Sequence, residues 1–213
     1  MELNLNEILR YAGFKGHAAD EITLNNIAEL EKEIKASVNP KCIYREFEFQ
    51  KVGDSAILID GIEFRSKKLV SHLKNSKSIL LFAATLGVES DIILRKYSAS
   101  DSAKYVLCQA IMAEAVEAYS NEILDALALK YEKDGLYFRP RFSAGYADLD
   151  LTAQKDFFNL LEITKRAGIS LTDDCIMIPS KSVTAFIGIT PDKECQKSAC
   201  QFCDKTDCDF RRR

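Results

Sequence analysis

The sequence CIYREFEFQKVGDSAILIDGIEFR, residues 42–65, alternates apolar and polar side chains with the period of two that is typical of β-strands. The alternation divides into three runs, Ile43 to Phe49, Ala56 to Ile59 and Ile62 to Phe64. Gly53-Asp54 and Asp60-Gly61 separate the runs, and Asp-Gly is a strong signal for a tight hairpin. The stretch therefore predicts an antiparallel meander.

Apolar residues with the spacing of α-helices occur on both sides of this stretch. Upstream, Leu5 to Tyr11 predicts a short helix, and the apolar residues from Leu24 to Ile34 predict a second, with Thr23 as its N-cap. The downstream predictions are a helix from Lys67 to Leu73, a strand from Ser78 to Ala84, a helix from about Val88, a long helix from Ser102 to Tyr131, a helix capped by Thr152, and strands from Ile176 to Ile178 and from Val183 to Ile189. Without a βαβ repeat, this order predicts an α+β fold, an antiparallel sheet with segregated helices, one of them long.

Net charge and the length of the apolar runs argue against two classes of function, nucleic-acid binding and membrane insertion. The chain has 213 residues and a formal net charge of -3, which argues against a broad nucleic-acid surface. Its longest apolar run, Ile79 to Ala84, is far too short for a membrane span, and Met1 to Asn4 do not open a secretory signal. We expect a cytoplasmic protein with neither nucleic-acid nor membrane partners, built as one domain of residues 1–190 with a tail of residues 191–213.

The segment Arg141-Phe142-Ser143-Ala144-Gly145-Tyr146 follows Pro140 and cannot lie within a helix. It places a planar cation, a flexible glycine and an aromatic ring within six residues. Such a loop can clamp a carboxylate with the Arg141 fork and pack a flat ring, which suits a small zwitterionic ligand with a planar base. The alternative is a type II turn with a surface arginine and a packing tyrosine.

Glu114 is an unusual residue on the predicted long helix. A helical wheel places it on a stripe with Leu107, Ala110, Ile111 and Ala118. A carboxylate on such a face requires a cationic or hydrogen-bonding partner. Glu114 is therefore either one half of an ion pair, with Arg141 as a candidate, a residue at the solvent-facing rim, or a ligand contact.

The tail carries Cys195, Cys200, Cys203 and Cys208 in the spacing C-x4-C-x2-C-x4-C. A close pair with two flanking thiolates can bind zinc or an iron–sulfur cluster, and a redox dithiol or disulfide is the alternative. His17 and His72 are distant in sequence and are interpreted as surface or core histidines.

Three motifs occur in order: Arg-x-x-x-Gly-Tyr from Arg141, Leu-Thr-x-Gln from Leu151, and Pro-x-x-Ser-Val from Pro179. Together they resemble the activation domain of cobalamin-dependent methionine synthase, from the N-terminal helix to Ile189. The resemblance implies a site for S-adenosylmethionine. In it, Arg141 would hold the carboxylate, the backbone of Ser143, Ala144 and Gly145 would read the adenine edge, Tyr146 would line the pocket, and Glu114 would favour or bind the cationic part of the ligand.

The same resemblance implies reductive methylation of oxidised cobalamin on a separate methionine synthase or other corrinoid protein. The reactivation component of such a methyltransferase would use flavodoxin or ferredoxin as electron donor, and the tail could itself relay electrons if it holds iron–sulfur. Two positions depart from the family pattern: Gly13 replaces an acidic residue after the first helix, and the chain near Cys195 lacks a tyrosine. The alternatives are a non-catalytic corrinoid-protein binder and a metal or redox protein that acts through the tail.

Overall fold

Helices and antiparallel strands make up residues 1–14 and 17–193, which are the residues that the computed structural model describes. The helices are α1 (Leu5–Tyr11), α2 (Glu21–Ser37), α3 (Lys67–His72), α4 (Val88–Ser100), α5 (Ser102–Tyr131), α6 (Ala153–Leu161) and α7 (Ile163–Ala167). The strands are β1 (Lys41–Phe47), β2 (Gln50–Val52), β3 (Ala56–Ile59), β4 (Ile62–Arg65), β5 (Ser78–Thr85), β6 (Tyr137–Phe138), β7 (Ser170–Leu171), β8 (Met177–Ile178) and β9 (Ser182–Thr190).

A four-stranded antiparallel sheet in the order β1-β5-β9-β6 organises the fold. Strand β5 is buried at every position after Ser78, as expected for a continuous apolar run covered on both faces. Strands β2, β3 and β4 form a separate three-stranded sheet. The predicted meander is therefore right for its last two runs and wrong for the first. Strand β1 instead pairs with β5, with Cys42 opposite Ala84, because β5 needs a hydrogen-bonding neighbour on each edge.

The two faces of the central sheet pack against different layers. Leu80, Phe82 and Ile187 share a cluster with Leu127 of α5. On the other face, residues such as Leu81 join side chains from the second sheet and from α3, α6 and α7. A third cluster joins α1, α2 and α4 to the first half of α5. The predicted α+β fold with one long helix is confirmed.

Local capping explains where α2 begins but not where α6 begins. Helices α1 and α5 have the predicted bounds, but α2 begins at Glu21 and not after Thr23. Asp20 is its N-cap, and the Asp20 carboxylate accepts the Thr23 amide at 2.8 Å. Thr152 does precede α6, but its side chain makes no capping hydrogen bond and donates to Asp150 at 2.6 Å.

Across residues 1–14 and 17–193, no helix is long and apolar enough to cross a membrane. Strand β9 ends at Thr190, the residue that closes the predicted main domain. The proposed boundary stays a prediction, because the tail lies outside the described residues from position 194 onward.

Candidate functional site

The segment Arg141 to Tyr146 forms a loop, the motif loop. The chain approaches it along the edge of β9 that faces away from β5. Phe138 lies opposite Ile189, and the amide of Arg139 donates to the Gly188 carbonyl at 2.8 Å. After two more residues, Phe142 lies opposite Phe186, and the pair exchanges amide–carbonyl bonds of 3.0 and 2.7 Å.

This pairing contains a β-bulge. Pro140 and Arg141 together face the single residue Ile187, because regular pairing from Arg139 would put Arg141 opposite Phe186. Proline has no amide hydrogen, and it is tolerated at a bulge because the extra residue there does not have to donate to the β-ladder. The extra residue shifts the alternation of side chains by one position.

The bulge decides where Arg141 points. Phe142 and Phe186 both belong to the apolar cluster beneath the sheet, which is the cluster on the face that packs against α3, α6 and α7. Regular pairing would therefore direct the Arg141 guanidinium into that cluster. Burying an unpaired cation there would be costly. With the bulge, Phe142 fills the apolar position and Arg141 reaches the α5 side of the sheet.

On α5, the Arg141 Nη2 atom donates to Glu117 Oε2 at 2.5 Å and to Asn121 Oδ1 at 3.0 Å. The Arg141 side chain is 21% exposed. Its Nε and Nη1 atoms contact no acceptor among residues 1–14 and 17–193, so donors remain for a ligand. Glu117 was missed at the sequence level, although its spacing of three from Glu114 places both carboxylates on neighbouring turns of one helix face.

Glu114 has a different partner from the one considered. It is only 6% exposed, and its Oε1 atom accepts the backbone amide of Asn4 at 3.2 Å. Asn4 is the N-cap of α1. The expected need for a hydrogen-bonding partner is confirmed, but the ion pair of Arg141 forms with Glu117 and not with Glu114.

The motif loop contains the type II turn that the sequence offers as the alternative interpretation. The amide of Tyr146 donates to the Ser143 carbonyl at 3.1 Å, and Gly145 has φ +80°, as the third residue of a type II turn requires. A second bond joins the Gly145 amide to the Leu149 carbonyl at 2.9 Å. A Cβ atom at Gly145 would lie 3.1 Å from Leu151 Cδ1, so both conformation and space favour glycine.

Side chains around this turn anchor it to the core. The Ser143 hydroxyl donates to the Thr184 carbonyl at 2.7 Å, and Ala144 packs against the apolar cluster below the sheet. The Tyr146 ring meets the Phe142 ring edge-on at 5.3 Å and remains 37% exposed. Tyr146 therefore both packs and presents surface, so the turn and a binding role are compatible.

The Pro-x-x-Ser-Val segment lies beside the first half of α5. Lys181 Nζ donates to the Gln109 carbonyl at 3.1 Å. Burial lowers the pKa of the Lys181 ammonium, and the Asp91 carboxylate opposes that effect. Ser182 is buried, with its hydroxyl 2.7 Å from the Pro179 carbonyl, which fits a role in shaping the start of β9.

Comparisons with known proteins identify the family and the fold of this chain. The family model described as "Vitamin B12 dependent methionine synthase, activation domain" matches residues 51–209. The chain belongs to this activation-domain family. The structure titled "Crystal Structure of the MetH Reactivation Domain bound to AdoHcy" matches with a TM-score of 0.61 and 19% identity, over 89% of this chain and 76% of that one. At this identity the likeness establishes the fold. No curated protein matches significantly.

The activation-domain match differs in extent from the sequence-level resemblance. It begins inside β2 and runs beyond Ile189, so it includes the four cysteines of the tail. Cys195, Cys200, Cys203 and Cys208 lie outside the described residues, and metal binding by them stays a prediction. Elsewhere, in residues 1–14 and 17–193, no three histidine, cysteine or acidic side chains gather to hold a metal ion. Gly13, the other departure, follows α1 with φ +87°.

Proposed function

We propose that this activation domain binds S-adenosylmethionine at the Arg141–Tyr146 loop and supports reductive methylation of cob(II)alamin. The cobalamin would be held by a methionine synthase or a related corrinoid methyltransferase, and flavodoxin or ferredoxin would supply the electron. Family membership supports the general activity. The observation that carries the site is the bulge that turns Arg141 toward the Glu117 carboxylate of α5.

The residues present fit this ligand. S-adenosylmethionine combines a carboxylate with an ammonium and a sulfonium, so a complementary site needs one fixed cation and an excess of negative charge. Arg141 supplies the cation, and Glu117 and the buried Glu114 supply the negative charge on one face of α5. The exposed part of the Tyr146 ring offers an apolar surface for adenine, beside the backbone of Ser143, Ala144 and Gly145.

The roles of the residues follow from these positions. Arg141 would orient the amino-acid end of the ligand by charge-assisted hydrogen bonds. Glu114 and Glu117 would hold the cationic groups, and the loop would fix the adenosine end, so that the methyl group is presented in one orientation. When bound, the ligand would supply an electrophilic methyl group on its sulfonium to the reduced cobalt of the partner and would leave as S-adenosylhomocysteine. None of these steps requires a general acid or base from the protein.

Titration calorimetry with S-adenosylmethionine tests the proposal. We expect saturable binding to the wild-type protein and at least a tenfold loss in Arg141→Ala, because a charge-assisted contact is removed. Arg141→Lys should recover only part of the loss, since an ammonium cannot form two parallel bonds. Arg166→Ala, an exposed arginine of α7, is the matched control and should bind as the wild type does.

Absence of binding to the wild-type protein would reject the proposed ligand. Retention of a corrinoid protein by the same sample would then favour the non-catalytic binder. If neither binds, a metal or redox role of the four-cysteine tail becomes the leading alternative.

A further inference from the structure

The β-bulge before the motif loop leaves one carbonyl without a place in the β-ladder. Pro140 occupies the bulge, and its carbonyl has no amide donor on β9. Phe186 and Gly188 bond to this segment, so the amide of the intervening Ile187 points toward Leu80 of β5. A carbonyl left unpaired away from water would destabilise this backbone conformation. The bulge therefore needs a donor from another element.

His72 supplies that donor. It is the last residue of α3, and its Nε2 atom lies 2.8 Å from the Pro140 carbonyl oxygen. Since a carbonyl can only accept, Nε2 carries the proton in this contact. Burial lowers the pKa of the His72 imidazole, the bond to Pro140 opposes that, and Arg139 lowers it further, so the neutral ring is favoured.

The same ring contacts the other neighbour of Arg141. The rings of His72 and Phe142 lie 5.3 Å apart with an interplanar angle of 43°. His72 thus fixes Pro140 by a hydrogen bond and Phe142 by packing, one on each side of Arg141. The direction of the Arg141 side chain depends on the backbone at these two residues.

We propose that His72 is a positioning residue for Arg141, which holds the bulge in the register that directs the guanidinium toward the ligand's carboxylate. This inference rests on the proposed function, because it assigns His72 to the binding of the same ligand. His72 itself touches Pro140 and Phe142, to neither of which a ligand contact is assigned, and it acts through the backbone. This role would go beyond that of the surface or core histidine that the sequence suggests.

Two variants separate the hydrogen bond from the packing. His72→Phe keeps a ring beside Phe142 but loses the donor to Pro140, whereas His72→Gln can place an amide donor near the Nε2 position. We expect S-adenosylmethionine to bind about tenfold more weakly to His72→Phe and within about threefold of wild type to His72→Gln. His17→Phe changes the other histidine, which is exposed, and is the matched control.

A second ligand distinguishes positioning from general loss of structure. 5′-Methylthioadenosine has the adenosine group but no carboxylate, so its affinity should be the same for wild type and His72→Phe. In an Arg141→Ala background, His72→Phe should cause no further loss of S-adenosylmethionine affinity, because the two changes remove one contact.

The possible results are separable. Equal weakening of both ligands in His72→Phe, or unchanged binding of S-adenosylmethionine, overturns the positioning role while the proposed function stands. Failure of Arg141→Ala to weaken S-adenosylmethionine binding, or failure of the wild-type protein to bind it, rejects the proposed function itself.

Discussion

The charge environment of Arg141 depends on Glu117, which contacts it at 2.5 Å. If Glu117 offsets the positive charges of the bound ligand, Glu117→Gln should weaken S-adenosylmethionine binding about three- to tenfold, because the amide can still accept from Arg141 but carries no charge. The effect should shrink at high salt, since the pair is partly exposed. Calorimetry at two salt concentrations measures both quantities.

Asp125→Asn is the control for that change, because Asp125 is an exposed acidic residue of the same helix. Tighter binding in Glu117→Gln would contradict the expectation. It would show that Glu117 competes with the ligand's carboxylate for the Arg141 guanidinium.

At the level of single residues, the sequence identified the features that depend on local chemistry. Gly145 could be predicted because a type II turn needs positive φ at its third residue. The partner of Arg141 could not be predicted in the same way. It depends on a bulge, and the bulge depends on the pairing of Phe142 with Phe186, a residue 44 positions further along the chain in the same apolar cluster.

Asp148 connects the motif loop to a secondary-structure element, the short helix α3. Its carboxylate accepts the Lys67 amide at 2.8 Å and the Ser66 hydroxyl at 2.5 Å, at the N-terminus of the helix that carries His72. Ser66 is the N-cap of α3, and Asp148 extends the cap from outside the helix with a negative charge. Asp148→Asn removes that charge and should lower the free energy of unfolding by about 0.5 kcal/mol, at the low end for a charge at a helix N-terminus because the carboxylate is exposed. Urea unfolding at pH 7 measures the difference.

The pH dependence provides the check on this cap. Burial raises the pKa of Asp148, but hydrogen bonds from Ser66, Lys68 and Lys67 outweigh it, and the net pKa is lowered from 3.8. Because the folded-state pKa is depressed, the stabilisation is present above the ordinary pKa and is lost as pH falls through the folded-state value. The wild type and Asp148→Asn should therefore converge below about pH 4. A constant difference down to pH 2 would contradict an ionised cap.

Among whole elements, helices were easier to predict than strand partners. The apolar period of α5 and the caps near its ends are local, so Ser102 and Tyr131 were predicted as its bounds. The partner of β1 was not, because pairing with β5 joins segments separated by a second sheet and a helix. Periodicity identifies a strand but does not identify its neighbour.

Across the whole molecule, α5 joins otherwise separate apolar clusters. Its 30 residues extend about 45 Å, with Ile111 in the cluster of N-terminal helices and Leu127 in the cluster above the sheet. Glu114 and Glu117 lie between those two positions. The candidate site therefore lies where the helical layer meets the sheet, and a ligand bound there would contact elements of both.

This arrangement predicts that S-adenosylmethionine stabilises the domain as one unit. At a ligand concentration about 100 times Kd, binding adds about 2.7 kcal/mol, which for a domain of this size raises Tm by roughly 5–10 °C. Scanning calorimetry should show one transition that moves as a whole. Arg141→Ala, which binds at least tenfold more weakly, should gain at most about 1.4 kcal/mol at the same ligand concentration, and its Tm should move by at most about half as much. Two transitions, of which only one responds, would show that the helical layer and the sheet unfold independently and that α5 does not couple them.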